Sequence, residues 1–197
     1  MSKERIIDSL AQFKTACSTY IDKAKTIDGS GAYTPEGKKQ ALEKLAADNR
    51  VSLKSAGNRV LSEMDSVLEK LSVNRRNAIR KNLTDAGSAA GLQNAVNAII
   101  IGAVTTPEDM KVLVDVYKAD PLAMQILRNA ATSADCKTDP AIRSALYEQN
   151  SDFETLKKCR DKMSAMTVNA VSGNLSEWSL MNIDGYTTVI NDMTDLI

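Results

Sequence analysis

The sequence predicts an all-α protein, and three observations carry that prediction. Each of the four prolines follows a Thr or an Asp, at Thr34-Pro35, Thr106-Pro107, Asp120-Pro121 and Asp139-Pro140. Such a pair starts a helix, because Pro fits the first helical position and the side chain before it accepts a bond from a free backbone amide. Apolar residues recur at intervals of three and four over long stretches. No segment alternates strand-like between turn signals. The expected architecture is a long, coiled-coil-like N-terminal helical hairpin over residues 1–82, followed by a compact C-terminal helical domain, a bundle, over residues 83–197.

The first helix is expected from about Lys3 to Ile27, with a seam of Ile6, Leu10, Phe13, Cys17, Tyr20, Ala24 and Ile27. That 4-3-4-3 spacing is a heptad stripe, which suits left-handed pairing with another helix. "DGSGAYT", Asp28 to Thr34, supplies two glycines and a cap, a loop where the chain reverses. The second helix, from Pro35 to about Leu71, keeps a 3-4-4 beat through Leu42, Leu45, Asn49, Leu53, Ala56, Val60, Met64, Val67 and Leu71. An 11-residue period gives a nearly straight helix. The first helix is too short to cover this whole stripe. Leu53, Val60, Met64 and Val67 are therefore expected to meet either the C-terminal domain or a second subunit.

From Ala86 to Pro107 the chain carries no charged side chain. A bilayer span needs about 20 predominantly apolar residues, and Ser88, Gln93, Asn94, Asn97, Thr105 and Thr106 interrupt this run. It reads as a buried central helix over 88–103, with exposure at an interface as the alternative. Shorter helices are expected at 107–118, 121–131, 140–150, 152–171 and 186–197, the fourth of them opened by a capping box at Ser151 to Glu154. In the last of these Tyr186, Val189, Ile190, Met193 and Ile197 share a face, which serves either as a strut of the core or as a docking peptide.

The chemistry is defined mostly by exclusion. The chain has no histidine, which removes the usual general base, the Ser-His and Cys-His pairs and the commonest zinc ligand. Phosphate-loop and dinucleotide fingerprints are missing, and "NIDG", Asn182 to Gly185, lacks the ligand spacing of a calcium loop and reads as a turn and helix cap. No catalytic residue, metal ligand or cofactor is expected. Cys17, Cys136 and Cys159 are odd in number and far apart, so they suggest a reducing compartment rather than a disulfide framework. Cys136, beside Lys137, is the one thiol whose setting could favour the thiolate. The N-terminus has no secretory pattern.

Net charge is zero, but residues through Lys81 carry 16 basic against 10 acidic side chains, a net +6, and the remainder 9 against 15, a net −6. The asymmetry serves either packing within the monomer or head-to-tail association. Arg75, Arg76, Arg80 and Lys81 form the one candidate polyanion contact, although no aromatic platform is interleaved for base stacking.

Two stretches, "YTPEGKKQALEKLAADNR" from Tyr33 and "TPEDMKVLVDVYKADPLAMQILRNAA" from Thr106, resemble small helical structural proteins of tailed bacteriophages and prophages. The resemblance covers under a quarter of the chain and transfers no functional residue. It implies a non-enzymatic, capsid-associated protein that works by protein–protein contacts, in the virion or the host cytoplasm. Its partners would be other virion subunits or copies of itself, with no membrane role. The alternative is a regulatory binder of a host enzyme or nucleoprotein. The expected contact residues are Leu53, Val60, Met64 and Val67 on the second helix and Tyr186, Val189, Ile190 and Met193 on the last.

Overall fold

The computed structural model describes residues 2–148 and 152–193. The protein is all-α, and among the described residues the elements are α1 (Ser2–Gly29), α2 (Pro35–Thr84), α3 (Ala86–Ile101), α4 (Pro107–Tyr117), α5 (Pro121–Thr132), α6 (Pro140–Arg143), α7 (Ala145–Glu148), α8 (Asp152–Val171) and α9 (Glu177–Asp192). Every Thr-Pro and Asp-Pro pair opens a helix. Thr34, Thr106, Asp120 and Asp139 each accept backbone amides through their side chains, from Gly37, from Asp109, from Leu122 and Ala123, and from Ala141 respectively. Asp85 does the same for α3 through the amide of Ser88, and the Ser88 hydroxyl together with that amide holds its carboxyl below the usual range.

The chain divides into two compact units, residues 1–68 with 154–197 and residues 69–153. This differs from the expected boundary near residue 82, because α8 and α9 return to the core that α1 and α2 begin. In the first unit neighbouring helices run antiparallel. Gln12 of α1 bonds Arg59 of α2 at 2.8 Å, and Asp65 of α2 bonds Arg160 of α8 at 2.9 Å. Along α1, Lys14 meets Asp184 and Lys25 meets Glu177, while Lys3 donates to the carbonyl of Asn191. The result is an up-down-up-down four-helix arrangement. Its core takes Ile6, Leu10, Phe13 and Cys17 from α1, Leu53, Val60, Met64 and Val67 of the 3-4-4 stripe from α2, Leu156, Cys159 and Met163 from α8, and Ile183 and Ile190 from α9.

Glycine makes two close approaches possible here. Gly57 of α2 is buried so tightly against α8 that an added Cβ would stand 2.5 Å from Thr167 Cγ2 and Oγ1. Gly173 ends α8 at φ +76°, which is strained for any residue with a Cβ, and its carbonyl accepts from Tyr20 Oη.

In the second unit α3 packs against α5, and α4 packs against α5, α6 and α7. They enclose Ile99, Val104, Met110, Val114, Leu127 and Leu146. The charge-free run is not buried on all sides, as expected, but along one stripe. Ala95 and Ile99 face the core, whereas Gln93, Asn94, Asn97 and Ile101 are exposed. Its small side chains leave too little apolar area to demand cover all round.

Three other boundaries also differ from expectation. α2 extends to Thr84, since "NRRNAIRKN" holds no Gly or Pro to stop it. The helix expected at 140–150 breaks at Ser144, whose hydroxyl bonds back to the Ala141 carbonyl. The last helix starts at Glu177 rather than 186, with the Ser176 amide donating to Ser179 Oγ at its start. "NIDG" consequently lies inside α9 and is neither a turn nor a cap. Ser151 and Ile197 fall outside the described residues.

Candidate interaction surfaces

The α2 residues expected at a subunit contact are core residues of the first unit. Leu53, Val60, Met64 and Val67 are all buried within one chain. Of the two coverings expected for this stripe, the C-terminal half of the chain or a second subunit, it has the first: α8 lies against α2 at Gly57–Thr167 and Asp65–Arg160, so these four residues are core and not a subunit contact. On the last helix the expected set splits. Ile190 and Met193 are buried, Tyr186 is half-buried beside Cys159, and Val189 is exposed. The strut reading thus describes one face of α9, and the opposite face remains outward.

The basic cluster is similarly divided. The Arg75 guanidinium lies 4.2 Å from the centre of the Phe153 ring, and Arg76 pairs with Glu69 at 3.3 Å. Arg80 and Lys81 are exposed, with Lys81 close enough to Asp85 to help hold that carboxyl ionised. Three of the four cations therefore stay outward, Arg76 in an exposed pair with Glu69, while Arg75 is drawn onto Phe153 within the second unit. The +6 and −6 halves meet partly within the first unit, where Lys14 and Lys25 reach Asp184 and Glu177.

The three thiols occupy structural positions. Burial pushes Cys17 up to about 12 and also raises Cys159, so both stay protonated at neutral pH. Cys136, the one thiol set in a loop, donates to the Ile99 carbonyl, as does the Thr138 hydroxyl, while the Lys137 amide donates to Ile100. This loop satisfies carbonyls that the end of α3 leaves unpaired. No group of three or more Cys, Asp or Glu side chains that could hold a metal occurs among the described residues, and no helix among them is long and apolar enough to cross a membrane.

The fold also presents large apolar side chains outward. Trp178, the one tryptophan of the chain, is 72 % exposed on α9, with Met181 at 61 % and Val189 at 38 % along the same face. In the second unit Val112 and Val116 of α4 and Leu122 and Ile126 of α5 are also exposed. Reading the last helix from 186 missed Trp178 and Met181. The signal that would have found them is Ser176, a capping residue placed one step before an uninterrupted Pro-free run. Comparison with protein-family models, with curated proteins and with solved structures gives no match for this chain.

Proposed function

We propose that the protein is a non-enzymatic structural or assembly component that acts through protein–protein contacts and is associated with a bacteriophage capsid. The observation that supports contact as its mode of action is the outer face of α9, where Trp178 and Met181 stand in solvent on a helix whose other face is packed. Large exposed aromatic side chains are concentrated at contact surfaces, because a single Trp removes up to about 250 Å² from water at little entropic cost. The thiols, by contrast, are spent on the core and on a helix end. The placement in a virion is supported by the resemblance at Tyr33–Arg50 and Thr106–Ala131.

The test is to follow the chain through a density gradient of purified particles with an antibody against it. It is expected to sediment with the particles and to be released when they are dissociated. Recovery only in the soluble fraction of lysed cells would refute the capsid association.

A further inference from the structure

We draw no further inference here: the strongest candidate, the outward apolar face of α9 with Trp178, Met181 and Val189, carries nothing beyond the contact surface already described, because nothing in the structure shows what covers it.

Discussion

Replacing Gly57 by Ala is ordinarily a favourable change in a helix, worth up to about 1 kcal/mol, and here it should be harmful. The new methyl would stand 2.5 Å from both Thr167 Cγ2 and Thr167 Oγ1 and 3.0 Å from Thr167 Cβ. Ordinary contact begins near 3.4 Å, so the two groups must separate by about 0.9 Å. Rotating Thr167 about χ1 does not help, because both branches clash and Cβ itself is close. The side chain is also buried and donates from Oγ1 to the Met163 carbonyl. The remaining response is for α2 and α8 to move apart, which loosens Leu53, Val60 and Met163 together.

Overpacking of this kind costs about 1–3 kcal/mol. With the propensity gain subtracted, the upper part of that range leaves a net loss of about 1–2 kcal/mol, or roughly 2–8 °C in the melting temperature of a chain this size. Thr167→Ala removes both clashing atoms, so the double variant should recover most of the loss. A thermal or urea unfolding cycle over the four proteins should give a favourable coupling of at least about 1 kcal/mol. A Gly57→Ala protein as stable as the parent, or additive effects of the two changes, would refute the close approach of α2 and α8.

Adjacent residues of α9 should behave oppositely: Ile190→Ala, which empties a fully buried site, should cost about 2–5 kcal/mol, while Val189→Ala should leave the melt of the monomer within ~0.5 kcal/mol. In the folded protein a thiol reagent at mildly alkaline pH should modify half-buried Cys136 well before Cys17 and Cys159, which should react only on unfolding; equal rates would contradict their burial. The Lys25 ammonium bonded to Glu177 lowers that carboxyl from its ordinary 4.5. Its contribution is therefore present above that value and is lost as pH falls through the lowered one, so Glu177→Gln should flatten the acid limb of an unfolding curve and leave neutral stability almost unaltered, as befits an exposed pair. Asp120→Ala should destabilise the second unit by about 1–2 kcal/mol, because it uncaps α5 and strands the Asn82 amide now bonded to Asp120 at 2.7 Å; an unchanged melt would count against that cap.

How far the sequence alone reached is set by the range of the forces involved. The helix starts at Pro35, Pro107, Pro121 and Pro140 were legible because a cap is a bond between residues two or three apart, complete before any tertiary contact forms. The faces Ile6 to Tyr20 and Leu156 to Met166 were legible too, since burial follows the helical period whatever lies opposite. Which stripe meets which was not legible. Apolar attraction has no direction, so the α2 stripe matched a second subunit as well as it matched α8, and only the notch of Gly57 against Thr167 distinguishes the helix that fits. The same holds for the outer face of α9: period alone places Trp178 on a helix side, but its exposure depends on the opposite side, with Ile183 and Ile190, being turned into the core against α1. Arg75 likewise read as a free cation until the fold brought Phe153, 78 residues away in the chain, beneath its guanidinium.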